Sequence, residues 1–520
     1  MVKLRVNTLA DVVVSTAGFG SRMWKVSPDL HKCLLPYQDK PILWHIIYQI
    51  PKNLNLAIIL GHNSQQVRDF CSISFPERNI QYVNVDDWTS ELSGTAYSLT
   101  CAKDALKETF WYLPCDGIFT EDIFNNSSNQ EEYFVKEIVP DVTHVYTTFS
   151  IADGRIKESF QKLRNVSGVY AFTGIMKISN RDNFFNRLLN TDSSEFTASI
   201  MNGSEVRHLE SWMDLGNPQS YEEALKKSMP FDFSKTDEYT YILGNQIIKW
   251  WPDKEIPQLK MKKVQNKPAV FPKKISAVGQ FLHYEKSIGD SLYKNIDANI
   301  FDDLLNWLNL NLWTRANIDI SSDCIEFYKK KTLARIALLE SRLVTDTYHP
   351  KSVNGIKVKD WSVYLEQLDW DALVLNSVTS VTHGDLQFDN IIHDSTVGSF
   401  VLIDWRPVFG KQNVLGDLYY DLGKMLGGIR LNYLEVKRNN FEFQSSPEGV
   451  TLNIPKANEA DTLERVLKEF VEREGLDWRR VQHLVPLIYW NMSPLHQEPF
   501  SNFLWCLGLY YFEKLDQNLG

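Results

Sequence analysis

Short apolar runs and helical spacings alternate over the first 220 residues. Val12-Val13-Val14 fits a buried strand, and Leu56 to Leu60 and Thr109 to Leu113 read the same way. Ile42, Ile46 and Ile50 share a face of a helix over Ile42 to Ile50. Ala96, Leu99, Ala102 and Leu106 share a face of a helix over Thr95 to Leu106, and Ser64 to Cys71 reads as another. Such alternation predicts right-handed βαβ units and a mainly parallel sheet.

The pattern changes after about residue 228. Residues 229–237 have no period and read as a linker. Tyr239 to Leu243 and Gln246 to Trp250 flank Gly244-Asn245 and predict a hairpin. Helical patterns dominate from there, as in Ile300 to Trp313 and Ile325 to Leu343. We expect an α/β domain over 1–228 and a second domain over 238–520, a small β-rich lobe followed by a larger helical one. The length of 520 residues agrees with two to four domains.

A net charge of −10 argues against nucleic-acid binding by bulk electrostatics, though not against a local basic pocket for phosphates. The six cysteines form no C-x-x-C pair and have no histidine at metal-ligand spacing, which predicts reduced thiols in a cytoplasmic protein. The first residues lack the apolar core of a signal peptide. Phe503 to Phe512, the most apolar late stretch, is far short of the ~18 residues of a membrane span. No membrane insertion and no nucleic-acid partner are expected.

Two segments carry candidate chemistry. The first strand runs into Ser15-Thr16-Ala17-Gly18-Phe19-Gly20-Ser21-Arg22-Met23. A glycine-rich turn there puts backbone N–H groups where a phosphate can approach. A dinucleotide fingerprint would need glycine in place of Met23, and a P-loop would need a following Gly-Lys-Ser/Thr. Lys32 comes ten residues after Arg22, within His31-Lys32-Cys33-Leu34-Leu35-Pro36, and Asp39-Lys40-Pro41-Ile42 follows. Gly94-Thr95-Ala96, Cys115-Asp116 and Trp212-Met213-Asp214-Leu215-Gly216 succeed it in order.

Over residues 9–225 this series resembles the nucleotidylyltransferases, the nucleoside-diphosphate-sugar pyrophosphorylases. The resemblance implies a Rossmann-like, glycosyltransferase-A-like sheet sandwiched by helices. It implies that Ala17, Gly18, Gly20, Ser21, Gly94 and Thr95 bind the nucleotide. Arg22 would hold the β- and γ-phosphates, since its fork matches phosphate oxygens. Lys32 would neutralise the α-phosphate or the incoming phosphate, and Asp116 and Asp214 would hold Mg²⁺. An ionised phosphate attacks without a general base. Lys25 reads as a solvated cation and Cys115 as a packed neighbour. Gly168 to Gly174 resembles the family's acceptor-side strand, with Glu158, Lys162 and Arg164 as candidates ahead of it.

The second segment is Thr382-His383-Gly384-Asp385-Leu386-Gln387-Phe388-Asp389-Asn390-Ile391-Ile392, then Leu402-Ile403-Asp404-Trp405-Arg406 and Gly416-Asp417-Leu418-Tyr419-Tyr420-Asp421-Leu422. It resembles the aminoglycoside phosphotransferase and choline kinase family, which implies a bilobal, protein-kinase-like α+β domain. Transfer to a hydroxyl needs a carboxylate to deprotonate the acceptor and Mg²⁺ on the ATP phosphates. By resemblance Asp385 is the base and Asn390 and Asp404 are the metal ligands. His383 orients the loop, and Asp421 steadies it from a helix start. Lys249 would hold the ATP phosphates. Tyr284-Glu285-Lys286-Ser287-Ile288-Gly289 would be the lobe connection, with the backbone at Glu285 meeting adenine. Trp490, Trp505 and Tyr510, near His496, read as core, with an acceptor pocket that cages a quaternary ammonium as the other reading.

Two transferases on one chain suggest consecutive steps. A kinase phosphorylates a small alcohol or sugar with ATP. A nucleotidylyltransferase then joins the phosphate to a second nucleoside triphosphate (CTP, UTP, GTP or dTTP), giving an activated building block for a surface polysaccharide. Choline kinase joined to phosphocholine cytidylyltransferase is the rival enzyme pair. A non-catalytic nucleotide sensor is the rival of another class.

Overall fold

A computed structural model describes residues 8–86, 88, 94–125, 128–163, 169–189, 201, 203–228, 238–341 and 349–517. The expected linker 229–237, the candidate Arg164, Gly168 and Leu343 lie outside the described residues. The chain divides into two compact units.

The first unit is built on a nine-stranded sheet. Its strands are β1 (Ala10–Ser15), β2 (Leu56–Leu60), β3 (Ile80–Asn84), β4 (Leu106–Pro114), β5 (Glu132–Glu137), β6 (Thr147–Ala152), β7 (Arg155–Gln161), β8 (Tyr170–Ile178) and β9 (Glu205–His208), in the order β3-β2-β1-β4-β8-β5-β9-β7-β6. Every residue of β2 is buried, as suits a strand covered on both faces. Helices α1 (Ile42–Gln49), α2 (Ser64–Ser74), α3 (Thr95–Cys101), α4 (Arg181–Leu189) and α5 (Pro218–Ser228) surround the strands in sequence.

The β3-β2-β1-β4 portion is parallel, as the alternation predicts. The rest is not. β8 is antiparallel to β4 and β5, and β7 is antiparallel to β6 and β9. The sheet is therefore mixed, a correction to the mainly parallel expectation. The β6–β7 turn shows why: Asp153 and Gly154 both have left-handed φ, 51° and 71°, the geometry of a tight hairpin. The helix expected over Thr95 to Leu106 stops at Cys101, and Leu106 already begins β4.

The hairpin strands fall at Tyr239–Leu243 and Gln246–Trp250, as expected, with Gly244 left-handed at φ 61°. Tyr239–Gly244 and Ile248–Pro252 group with the first unit, and Asn245–Ile247 with the second. The cause is packing. Tyr241 is fully buried, its hydroxyl donates to the Leu34 carbonyl at 2.6 Å, and the Ile242 N–H donates to the Asp39 carbonyl at 2.8 Å.

The second unit takes Asn245–Ile247 and the chain from Asp253. It opens with α6 (Glu255–Asn266) and an antiparallel pair, Ser276–Val278 with Phe281–Glu285. Its helices include α7 (Ala298–Asn311), α8 (Lys331–Glu340), α9 (Leu418–Arg430), α10 (Ala460–Arg473), α11 (Trp478–Met492) and α12 (Phe500–Asp516). A π-helical turn, Ile325–Lys330, runs directly into α8. All 13 residues of α9 are buried, which makes it the axis of this unit. Two short antiparallel pairs carry the candidate loop: Thr379–Val381 with Leu415–Asp417, and Ile391–Asp394 with Ser399–Leu402. Among the described residues no helix is long and apolar enough to cross a membrane. All six cysteines are free of disulfides.

Candidate functional sites

In the first unit the register of β1 on β4 sets Ser15 opposite Pro114. The glycine loop and Asp116 therefore leave the sheet side by side, at the carboxyl ends of parallel strands, where α/β sheets take their ligands. Thr16 anchors the loop: its N–H and hydroxyl both donate to the Ile59 carbonyl, at 2.9 and 2.7 Å. Gly20 is left-handed (φ 68°), and a Cβ there would meet the Lys32 stem at 3.2 Å. Lys32 thus lies along the loop, and its Nζ forms a 2.7 Å ion pair with Asp116.

The second carboxylate arrives through a two-residue pairing. Asp214 stands opposite Gly117 and so next to Asp116. Its oxygens accept the Gly216 N–H at 2.8 Å and the Asn217 amide at 2.9 Å. A Cβ on Gly216 would meet Asp116 Oδ2 at 2.7 Å and Asp214 Oδ1 at 3.1 Å, so both carboxylates converge on one point. Burial raises the Asp116 carboxyl, but Lys32 and then Arg22 outweigh this and hold it below the usual range. Asp214 is held above that range, first by burial and then by Asp116, with Gly216, Asn217 and Arg22 acting the other way. Two like charges in one place, one of them unfavourable, suit a divalent cation with oxygen ligands.

Arg22 and Ser21 are exposed, Ala17 is buried in the core, and Lys25 is exposed. Gly94 precedes α3, and Ala96 shares a hydrophobic cluster with Ala17, so the α3 start lies against the loop's base. Cys115 is buried, as a packed neighbour should be. Glu158 and Lys162 are both exposed. Sequence reasoning missed His31. Its Nδ1 accepts the Cys33 N–H at 3.2 Å and its Nε2 donates to the Thr16 carbonyl at 2.8 Å, tying the Lys32 turn to the glycine loop. Burial lowers its pKa to about 4, so it stays neutral. Its place next to Lys32 was the available signal.

In the second unit Asp421, near the start of α9, takes the backbone of the candidate loop. Its carboxylate accepts the His383 N–H at 2.9 Å, the Gly384 N–H at 2.7 Å and the Trp313 indole N–H at 3.1 Å. His383 is fully buried. It accepts the Asp385 N–H at 3.2 Å and donates to the Ile403 carbonyl at 2.8 Å. Burial, above all else, lowers its pKa to about 3, which makes it a neutral strut. The Asn390 amide donates to the Asp385 carbonyl at 2.8 Å, and the Ile403 N–H donates to the Asn390 carbonyl at 2.9 Å. Asp385, Asn390 and the strand end carrying Asp404 are thereby brought together. Asp404 has φ 59°, a left-handed conformation that costs a non-glycine residue about 1–3 kcal/mol.

Lys249 is buried on the second strand of the hairpin. The N–H groups of Glu285 and Lys286 donate to the carbonyls of Lys273 (3.0 Å) and Asn245 (2.9 Å). Trp490 and Trp505 are core. They are 0% and 2% exposed, stacked at 5.1 Å, with the Trp490 indole donating to the Trp505 carbonyl at 3.1 Å. His496 is half-buried against the Phe500 ring, 5.0 Å between centroids.

Lys424 is the residue the motif did not include. It is buried on α9, and its Nζ lies 2.6 Å from Asp385 Oδ1. The readable signal was its position three residues after Asp421, on the same helix face.

No protein-family model matches the chain. It is similar to the bifunctional protein GlmU of Methanococcus vannielii, 23% identical over 263 residues, covering 46% of this chain and 61% of that protein. GlmU of Methanocaldococcus jannaschii is 26% identical over 133 residues, covering 25% of this chain and 30% of its own length. The chain thus spans less than two thirds of the length of either relative. Among solved structures, a putative glucose-1-phosphate thymidylyltransferase from Bacillus anthracis is 20% identical, with TM-score 0.37, over 44% of this chain and 98% of its own. The CTP:phosphocholine cytidylyltransferase of Streptococcus pneumoniae is 15% identical, with TM-score 0.37, over 42% of this chain and 100% of its own. The similarity to GlmU lies in the N-terminal part of the chain.

Proposed function

We propose that the first unit transfers a nucleotidyl group from a nucleoside triphosphate to a small phosphate monoester and releases pyrophosphate. We infer that the second unit makes that monoester by phosphorylating a hydroxyl with ATP. The observation that carries the first step is the convergence of Asp116 and Asp214 beside a lysine-lined glycine loop. Attacker and leaving group are both anionic, so the site has to supply positive charge. Lys32 offers it along the loop, and exposed Arg22 reaches the triphosphate tail from the rim. Asp116 and Asp214 would hold Mg²⁺, whose charge lowers the repulsion between the two substrates. The GlmU likeness supports the same chemistry.

In the second unit, Asp385 takes the acceptor's proton and Asn390 and Asp404 would hold the metal of MgATP. Asp421 and His383 fix the loop. Lys424 keeps Asp385 ionised until an acceptor arrives. The activated product suits the building of a surface polysaccharide, and cytoplasmic nucleotide pools suit both steps.

The test separates the halves. Asp116→Ala should abolish pyrophosphate release from a phosphorylated acceptor with CTP, UTP, GTP or dTTP, and leave ATP-dependent phosphorylation intact. Asp385→Asn should do the reverse, lowering phosphorylation by several orders of magnitude. A pyrophosphate release that survives Asp116→Ala removes the carboxylate pair from the reaction. If both activities fall in either variant, the two-site scheme is wrong.

A further inference from the structure

We propose that Lys260 and Trp405 are positioning residues of the second site, a two-way clasp that holds Asp404 in its strained backbone conformation. This rests on the phosphotransferase reading of that unit and names what keeps the carboxylate read there as a metal ligand in place.

Lys260 lies on α6, and Trp405 directly follows Asp404. The Lys260 Nζ donates to the Trp405 carbonyl, and the Trp405 indole N–H donates to the Lys260 carbonyl at 3.1 Å. The same Nζ stands 5.3 Å from the centre of the Trp405 ring. Both residues are buried, and Phe271 closes on the Trp405 ring with 4.5 Å between centroids. One residue of α6 therefore grips both the backbone and the side chain of Trp405. A buried lysine gives up the hydration of its head, a cost that methionine or leucine would avoid while filling the same space. What the lysine adds over them is its bond to that carbonyl.

The conformation of Asp404 gives the clasp its purpose. A non-glycine residue at φ 59° persists only where its surroundings fix it. On one side, the Ile403 N–H donates to the Asn390 carbonyl at 2.9 Å, and the Ile403 carbonyl accepts the His383 ring N–H at 2.8 Å. On the other side, the clasp secures Trp405, and the Arg406 N–H donates to the His383 carbonyl at 3.0 Å. Residues 403, 405 and 406 are thus anchored, and Asp404 keeps a turn that its own preference opposes. Asn390 and His383 belong to the candidate loop, whereas Lys260 lies 145 residues before Trp405. Helix α6 therefore supports Asp404 from outside the motif. Two further bonds seat the helix there. The Lys263 Nζ reaches the His383 carbonyl at 3.4 Å, and the Asn413 amide joins the carbonyls of Leu259 (2.9 Å) and Pro407 (2.7 Å).

The full-length protein provides the test, with two variants that cut the clasp at different points. Lys260→Met removes the bond to the Trp405 carbonyl and keeps an unbranched apolar stem. Trp405→Phe removes the indole N–H and keeps a ring. The first measurement is hydrogen exchange by mass spectrometry on the protein without ligand. The peptide holding residues 403–406 should exchange at least tenfold faster in both variants, with α11 unchanged within twofold. Uniform acceleration across the second unit, or none at all, overturns the clasp. The second measurement is calorimetry with MgATP and with ATP in EDTA. The Kd of MgATP should rise at least fivefold in both variants, while the Kd of metal-free ATP stays within twofold of the wild type. A residue that merely packs would not separate the two titrations. MgATP binding equal to that of the wild type, or an equal loss in both titrations, overturns the role given to Lys260 and Trp405. The phosphotransferase reading fails differently, with a wild type that binds no MgATP and phosphorylates none of choline, glycerol and glucose. Faster exchange at 403–406 in the variants would survive that result.

Discussion

Lys32→Gln isolates the ion pair at the first site. Asp116 would keep its burial and its neighbour Asp214 but lose its partner 2.7 Å away. Removing one member of a buried pair costs about 3–5 kcal/mol. The side chains here are 17% and 21% exposed, so water offsets part of that, and we expect roughly 2–3 kcal/mol. For a unit of this size that lowers the melting temperature by about 4–12 °C. The sign of the pH dependence is the sharper readout. In the wild type the depressed Asp116 carboxyl contributes stability above its unfolded pKa of about 3.9, lost as pH falls through its folded value. The raised Lys32 ammonium contributes stability below its unfolded pKa of about 10.4, lost only as pH climbs through its folded value. The pair is at full strength between those limits. In Lys32→Gln, burial and Asp214 would raise the Asp116 carboxyl above its unfolded value. The native state would then bind the extra proton, and stability should increase as pH falls from 7 toward 5. Urea unfolding of wild type and variant between pH 5 and 8, followed by tryptophan fluorescence, measures both quantities. A variant that loses stability on acidification, or loses under ~0.5 kcal/mol at pH 7, refutes this account of the pair.

Gly216→Ala should abolish pyrophosphate release while leaving the kinase rate within twofold, because its methyl would meet Asp116 at 2.7 Å; an active variant would show that the carboxylates need not converge. Asp421→Asn offers one oxygen where a carboxylate offered two. It should orphan a buried donor at a cost of about 1–3 kcal/mol to the second unit, and lower phosphorylation with little change in MgATP binding measured by calorimetry. A fragment of residues 1–228 should be less stable to urea than one of 1–252, since it lacks the buried Tyr241; equal midpoints would show that the strand adds nothing to the first unit.

Much of this was legible in the sequence because the period of a buried strand is short and local. Leu56–Leu60, Tyr239–Leu243 and Gln246–Trp250 fall where their patterns end. The motifs are also local, and the loop contacts of His383, Asn390 and Asp421 follow from short spacings and one strand pairing. The antiparallel half of the first sheet was harder. Its cue is the two-residue Asp153-Gly154 turn, a far shorter signal than the βαβ pattern before it. The hairpin's allegiance to the first unit depends on Tyr241 meeting Leu34, more than 200 residues earlier, and no local pattern carries that. The clasp of Lys260 on Trp405 is equally non-local, since it joins residues 145 positions apart.

One turn of α9 holds the second site from two directions: Asp421 grips the backbone of the loop, and Lys424 grips its carboxylate. Conformation and charge at Asp385 are therefore mounted on one plinth. Gly423 sits between them and meets the neighbouring helix, where a Cβ would come within 3.1 Å of Leu484. Pressure on that seam reaches the reacting end of the site without any change in what lines it. On the phosphotransferase reading, substitution at Gly423 or Leu484 would adjust turnover from the dry side of the helix, with the residues that line the site unchanged.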